Sequence, residues 1–141
     1  MNYSSKAKLF IIATPIGNPL DLSPRAQETL REVDLIAAED TRRTKKLLSH
    51  FKINGKKIIS YYDHKEQIKA EKIIDTMKKD DISVGLVCDS GTPCISDPGY
   101  RIVKLARENN ISVSPIPGPS SLTTTVSVSG LPSDRITFVG F

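Results

Sequence analysis

Residues 84–93 read VGLVCDSGTP, a short apolar run that passes directly into a polar loop. The run shows no alternation of apolar and polar residues, which is typical of a strand covered on both faces. Runs of the same form occur at 9–13, 35–38, 58–61, 113–116 and 136–139. We therefore predict six short strands, most of them buried in one sheet.

Between these runs, apolar residues recur at helical spacing: Ala26, Leu30 and Val33, then Ala70, Ile73, Ile74 and Met77, then Ile102, Leu105 and Ala106. Alternating strands and helices with right-handed crossovers give a mostly parallel sheet. We predict an α/β fold, a doubly wound mostly parallel sheet with helices on both faces. The 141 residues suffice for one such domain, which would bury roughly 68% of the surface of its unfolded chain.

The composition is that of an ordinary globular protein, with 38% hydrophobic and 26% charged residues. It excludes collagen-like, coiled-coil and disordered chains. The longest apolar run, 9–13, is far shorter than the roughly 20 residues of a membrane helix, and no signal-peptide segment is evident, so we expect a cytoplasmic protein. Cys88 and Cys94 have no neighbouring Cys or His to complete a zinc site, so we predict packing roles for both and no metal.

Positive charge is concentrated in residues 41–57. This segment holds seven of the 20 lysines and arginines and no acid, which leaves 13 bases to balance 16 acids elsewhere. A local excess of this kind indicates a polyanionic partner that meets one face. A solvated helix face would give the same pattern and stays open as the alternative.

Most of the unusual polar residues follow the predicted strands, where open α/β sheets bind their ligands. The loop 89–99 is rich in Gly, Pro, Ser and Asp, so its backbone can face a ligand. The alternative is two turns followed by a helix cap at Asp97, and the spacing alone leaves both open. The segment Pro117-Gly118-Pro119-Ser120-Ser121 could likewise bind an anion or simply start a helix.

Two further patterns bear on chemistry. Glu39 and Asp40 follow a strand and could orient a hydroxyl nucleophile or pair with Arg42 and Arg43. No strand is followed by a glycine-rich dinucleotide fingerprint or a phosphate-loop motif, so the sequence disfavours NAD and nucleoside triphosphates.

Taken together, these loops resemble the tetrapyrrole methylase superfamily and, within it, the ribosomal RNA small-subunit methyltransferase I family. The resemblance rests on motifs that run in the family's order over essentially the whole chain. They are Thr14-Pro15-Ile16-Gly17-Asn18 with Asp21, Ala38-Glu39-Asp40-Thr41-Arg42, Asp63-His64-Lys65-Glu66, Asp89-Ser90-Gly91-Thr92-Pro93, Ser96-Asp97-Pro98-Gly99-Tyr100, Pro117-Gly118-Pro119-Ser120 and Ser129-Gly130-Leu131-Pro132-Ser133-Asp134-Arg135.

The resemblance implies an S-adenosylmethionine-dependent enzyme that methylates the ribose 2′-hydroxyl of a cytidine in small-subunit (16S) ribosomal RNA. It also implies that residues 1–141 are an N-terminal domain, that a second α/β domain completes the cofactor cleft, and that the protein is a homodimer. On this domain we expect the cofactor to contact Pro15, Asp89, Gly91, Thr92, Ile95, Ser120 and Ser121.

Methyl transfer from a sulfonium mainly requires positioning, together with a group that receives the hydroxyl proton. Asp40 is our candidate for a catalytic carboxylate. We expect Arg42, Arg43, Lys45 and Lys46 to contact RNA phosphates. Two other functions stay open from the sequence: a small-molecule methylase acting on a corrinoid or porphyrin precursor, and a non-catalytic RNA-binding module.

Overall fold

The computed structural model describes residues 5–62 and 66–140, and their central feature is a parallel sheet. Over these residues the sheet has five strands: β1 (Lys8–Ile12), β2 (Leu35–Ala38), β3 (Lys57–Ser60), β4 (Val84–Val87) and β5 (Ser112–Ile116). Their order is β3-β2-β4-β1-β5, and every neighbouring pair is parallel. The central strands β2 and β4 are buried at every position, which explains their unbroken apolar sequence.

Helices cover both faces of the sheet. They are α1 (Pro24–Glu32), α2 (Thr41–His50), α3 (Glu66–Asp80), α4 (Tyr100–Glu108) and α5 (Ser121–Val128). Helices α1 and α2 pack on one face, where Leu30 and Leu48 meet Ile36 in one core cluster. Helices α3 and α4 pack on the other, where Met77 and Ile102 belong to a second core cluster. The α/β prediction with helices on both faces is confirmed.

Two sequence predictions about the chain's local structure are wrong. Residues 136–139 form no strand, because no described strand pairs with them, and Phe138 lies against the loops at the carboxyl ends of the strands. Helix α4 begins at Tyr100 with Gly99 as its N-cap, so Asp97 does not cap it. The Gly99 amide instead donates a hydrogen bond of 2.9 Å to Glu66 Oε1, from the first turn of α3.

At the amino end of the sheet, Asp34 ties the loop before β2 to the loop before β4. Its Oδ2 accepts hydrogen bonds of 2.8 Å from both the amide and the hydroxyl of Ser83, and its Oδ1 pairs with Lys6 Nζ at 2.8 Å. The Lys6 ammonium and the Ser83 donors lower the pKa of Asp34 to about 2.

This lowered pKa predicts a defined loss of stability in acid. A carboxyl group whose folded pKa lies below its ordinary 3.8 stabilises the fold above that value and loses the contribution as pH falls toward 2. Because Lys6 is largely exposed, we expect Asp34→Asn to lower the free energy of unfolding by only about 1 kcal/mol at pH 6. Urea unfolding at pH 6 and pH 2.5 should show the difference from wild type shrinking in acid. A difference that is equal at both pH values would contradict the prediction.

Candidate functional site

Three loops at the carboxyl ends of the strands are joined by direct hydrogen bonds. Thr14, after β1, and Gly91, after β4, exchange two backbone hydrogen bonds of 2.9 Å each. The Thr14 hydroxyl also donates to the carbonyl of Cys88 at 3.2 Å. Thr92 Oγ1 donates to the carbonyl of Pro119, after β5, at 3.0 Å. The loop 89–99 is therefore fixed at its start to both neighbouring loops.

Asp89 connects this loop to the end of β2 by reciprocal contacts. The Asp89 amide donates to Glu39 Oε2 at 3.0 Å, and the Asp40 amide donates to Asp89 Oδ1 at 3.0 Å. Arg43 Nε lies 3.6 Å from Asp89 Oδ2. The Asp89 carboxylate thus accepts an amide hydrogen bond from the neighbouring strand's loop and faces a guanidinium.

Asp40 is the N-cap of α2. Its Oδ1 accepts a hydrogen bond of 2.8 Å from the Arg42 amide, and its Oδ2 lies 3.0 Å from Arg42 Nη2. The Arg42 side chain and amide lower the pKa of Asp40 to about 2. A carboxylate with so low a pKa accepts a proton poorly at neutral pH. The structure gives Asp40 a capping and pairing role, and its catalytic role stays a prediction.

The joined loops enclose two adjacent cavities. The main cavity has a volume of about 370 Å³, and the side cavity has about 50 Å³. Ser90 lines both. The main cavity is lined by Thr14, Pro15, Ile16, Gly17, Pro19, Arg43, Thr44, Leu47, Cys88, Asp89 and Ser90, and the side cavity by Ser90, Gly91, Thr92, Ile95, Asp97, Ser120, Ser121, Leu122 and Phe138.

All seven residues predicted to contact the cofactor line these two cavities. Pro15 and Asp89 lie in the main cavity, and the other five line the side cavity. Gly91 has a φ of +85°, so a side chain there would strain the backbone, and its Cβ would reach contact distance, 3.4 Å, from Ile16 Cγ2 in the wall of the main cavity. Whether a cofactor contacts these residues stays a prediction.

The basic residues of α2 that are predicted to contact RNA lie on different parts of the surface. Arg43 faces the main cavity, where it pairs with Asp89. Arg43 and Lys46 line an adjoining open cavity of about 560 Å³ together with His50. Lys45 lines a separate groove between α2 and β3. Contact of these side chains with RNA stays a prediction.

Both cysteines have surroundings that suit packing. Cys88 is buried, and Cys94 is partly buried against the core beside α4. Burial raises the pKa of both thiols, that of Cys94 to about 11, so both are protonated at neutral pH. Over residues 5–62 and 66–140, no group of three or more His, Cys, Asp or Glu side chains could hold a metal ion.

Sequence reasoning missed several residues of the cavities. Ile16 and Ser90 adjoin the predicted residues within the same motifs, so their position alone could have indicated them. Phe138 lines the side cavity, although its apolar run predicts a strand. Asp63, His64 and Lys65, which belong to another motif of the resemblance, lie outside the described residues. None of the helices described is both long and apolar enough to span a membrane.

A family model, Tetrapyrrole (Corrin/Porphyrin) Methylases, matches residues 8–140. Curated relatives named "Ribosomal RNA small subunit methyltransferase I" are similar over nearly the whole chain. The protein of Xylella fastidiosa (strain Temecula1) is 52% identical, covering 98% of this chain and 50% of the relative. That of Escherichia coli O157:H7 is 49% identical, covering 98% and 48%. The chain thus spans about half the length of these relatives.

Solved structures show the same fold at low sequence identity. Uroporphyrin-III-C-methyltransferase from Thermus thermophilus has a TM-score of 0.65 at 17% identity, covering 89% of this chain and 53% of that one. A conserved hypothetical protein from Aeropyrum pernix K1 has a TM-score of 0.72 at 15% identity, covering 93% and 45%. At such identities the likeness concerns the fold alone.

Proposed function

The chain belongs to the tetrapyrrole (corrin/porphyrin) methylase family, and from this premise we propose that it is part of an S-adenosylmethionine-dependent methyltransferase. Its substrate is the ribose 2′-hydroxyl of a cytidine in small-subunit ribosomal RNA. The proposal is carried by the curated relatives, which are named for small-subunit ribosomal RNA methylation and are 46–53% identical over at least 94% of the chain.

The chemistry of the cavity residues suits S-adenosylmethionine. Pro15, Ile16 and Ile95 offer apolar surface for a flat adenine. The Asp89 carboxylate can accept hydrogen bonds from hydroxyl or ammonium groups. Ser120, whose side chain does not cap α5, lies beside Ser121 where a carboxylate could meet the helix N-terminus. When bound, the cofactor supplies an electrophilic methyl group.

The chain's own contribution is positioning. Hydrogen bonds from Thr14 to Gly91 and from Thr92 to Pro119 hold the loops that would exclude water from the transfer. A rigid arrangement lowers the barrier by fixing the reactants in line. Asp40 is our candidate for the carboxylate beside the attacking hydroxyl. Its low pKa suits orienting that hydroxyl through an accepted hydrogen bond better than removing its proton.

The RNA lies, in this proposal, against the exposed side chains of α2. Arg42, Lys45 and Lys46 supply positive charge next to the carboxyl rim, and Arg43 extends it to the main cavity. We also propose that a second α/β domain completes the cofactor cleft and that the protein acts as a cytoplasmic homodimer. The second domain agrees with the relatives' length, of which this chain covers 46–58%.

Methyl transfer to RNA tests this function. The full-length protein, incubated with tritiated S-adenosylmethionine and small ribosomal subunits, should yield 2′-O-methylcytidine after nuclease digestion. The control replaces the subunits with uroporphyrinogen III, the kind of substrate for which the structural neighbour uroporphyrin-III-C-methyltransferase is named. Label in the porphyrinogen and none in RNA would favour the small-molecule methylase. Label in neither, with intact RNA binding, would favour a non-catalytic RNA-binding module.

A further inference from the structure

The edge of the sheet formed by β3 carries a groove that the proposed cofactor site does not use. The groove has a volume of about 360 Å³ and lies between β3 and α3. Its apolar floor includes Leu35, Ile59 and Ile73, and its cationic wall consists of Lys57, Lys69 and Lys72. We call this feature the edge groove.

The charged residues that line the edge groove all have the same sign. No carboxylate lines it among the described residues. Lys69 and Lys72 lie three residues apart on α3, and by the same spacing Glu66 neighbours Lys69 and Asp75 neighbours Lys72 along the helix. Glu71 accepts a hydrogen bond of 2.6 Å from Gln67. None of the four acids of α3 lines the groove, and Glu66 Oε1 accepts hydrogen bonds from the Tyr61 hydroxyl and the Gly99 amide.

Positive charge also lines the other side of β3. A smaller groove of about 170 Å³ there is lined by Lys45 of α2 and by Lys56. The Lys56 ammonium donates to the carbonyls of Arg31 and Val33 at the end of α1, so it mainly secures that helix. Because Lys45 belongs to α2, this smaller groove adjoins the basic residues of that helix.

One end of the edge groove reaches the rim that bears the cofactor site. Ser60 ends β3 there, and Lys69 Nζ lies 3.4 Å from its hydroxyl. The same ammonium lies 4.1 Å from the centre of the Tyr62 ring, which is 40% exposed. Lys57 marks the other end of the strand. From the rise of about 3.3 Å per residue, Lys57 and Ser60, which Lys69 contacts, lie roughly 10 Å apart along the strand.

We propose that the edge groove binds the sugar–phosphate backbone of a single-stranded RNA segment, so that the RNA path continues from α2 around β3. The inference rests on the proposed function for its partner. Lysines that line a groove beside an exposed aromatic ring are the usual means of holding single-stranded nucleic acid. The groove opens toward the same rim as Asp89, so an RNA bound in it runs toward the cavity where methyl transfer would occur.

Two roles other than RNA binding would also explain the edge-groove lysines. Each of them leads to a different experimental result. Lysines on an edge strand can serve to prevent edge-to-edge pairing of sheets. In that case their removal changes association of the protein and leaves RNA binding unchanged. An acidic peptide pairing with β3 would also meet positive charge, and removal of the lysines would then weaken binding of a poly-glutamate peptide and leave RNA binding unchanged.

The test compares charge-removing variants of the full-length protein. Lys69→Gln/Lys72→Gln removes two charges from the edge groove. Lys79→Gln/Lys104→Gln, on exposed positions of α3 and α4 outside it, is the matched control. The variant Lys45→Ala/Lys46→Ala measures, for comparison, how much the lysines of α2 contribute to RNA binding. Fluorescence anisotropy with a labelled single-stranded RNA, repeated with small ribosomal subunits, gives the affinity at 50, 100 and 200 mM KCl.

We expect the edge-groove variant to bind RNA more weakly and to flatten the plot of log affinity against log salt by about 1.4, since each phosphate contact of a single strand contributes about 0.7. The control pair should keep the wild-type slope, and all variants should bind S-adenosylmethionine equally. The proposal is overturned if the edge-groove variant keeps the wild-type RNA affinity and the wild-type slope of log affinity against log salt. This holds whether the variant self-associates or loses poly-glutamate binding. Failure of the wild type to methylate RNA would instead overturn the proposed function, and the two outcomes are read separately.

Discussion

Replacement of Gly99 by alanine should cause the largest loss of stability of any single-methyl change at the carboxyl rim. Gly99 has a φ of +142°, and a Cβ there would overlap Cys94 Sγ and approach Leu86 Cδ2 within 2.9 Å. Backbone strain of this kind costs about 1–3 kcal/mol, and overpacking adds typically about 1–3 kcal/mol. Urea unfolding should therefore show a loss of about 2–6 kcal/mol.

Gly55 provides the control for this change. It also has a positive φ, +71°, but no atom lies within 4 Å of the position its Cβ would take. Gly55→Ala should cost only the strain, about 1 kcal/mol. Adding Cys94→Ala to Gly99→Ala should recover part of the loss, because the overlap with sulfur is removed. If Gly99→Ala costs no more than Gly55→Ala, the close packing at the start of α4 does not limit stability.

Asp89→Asn in the full-length protein should reduce methyl transfer about 100-fold, the size of effect expected when a positioned group is disturbed in a preorganised site. Asparagine keeps an oxygen that can accept the Asp40 amide but lacks the charge that faces Arg43. We therefore expect the melting temperature to change little. Single-turnover methylation of small ribosomal subunits and thermal unfolding give the two measurements.

Asp81→Asn is the matched control for the Asp89 substitution. The Asp81 carboxylate also accepts a backbone hydrogen bond, 2.9 Å from the Ala7 amide, and lies near the amino ends of the strands. Its substitution should leave methyl transfer at the wild-type rate. A fall in melting temperature that accounts for the lost activity of Asp89→Asn would show that Asp89 only holds the loops together.

Local sequence patterns are sufficient to predict the five strands and most of the helices. Buried parallel strands need continuous apolar residues, as in Val84–Val87. An apolar run does not reveal whether a partner strand will lie beside it, and for this reason the strand predicted at 136–139 is wrong. Local patterns do not predict the strand order β3-β2-β4-β1-β5 either, because it depends on contacts between distant parts of the chain.

The rim residues can be predicted because the carboxyl ends of parallel strands meet at one edge. The contacts among them cannot. Glu66 stands in the first turn of α3, and no sequence pattern connects it with the start of α4, more than 30 residues later. Its hydrogen bonds to the Tyr61 hydroxyl, at 3.0 Å, and to the Gly99 amide, at 2.9 Å, arise from the packing of α3 against α4.

The strand order also governs when the sheet can form during synthesis. Among the described strands, β1 pairs with β4 and β5 alone, so it has no neighbouring strand until Val84–Val87 has been synthesised. Until then β2 and β3 are the sole pair available among the described strands. Pairing over such separations is slow, because a long loop must close before any contact compensates its entropy. The nascent chain therefore exposes the apolar residues of β1 at least until β4 has been synthesised.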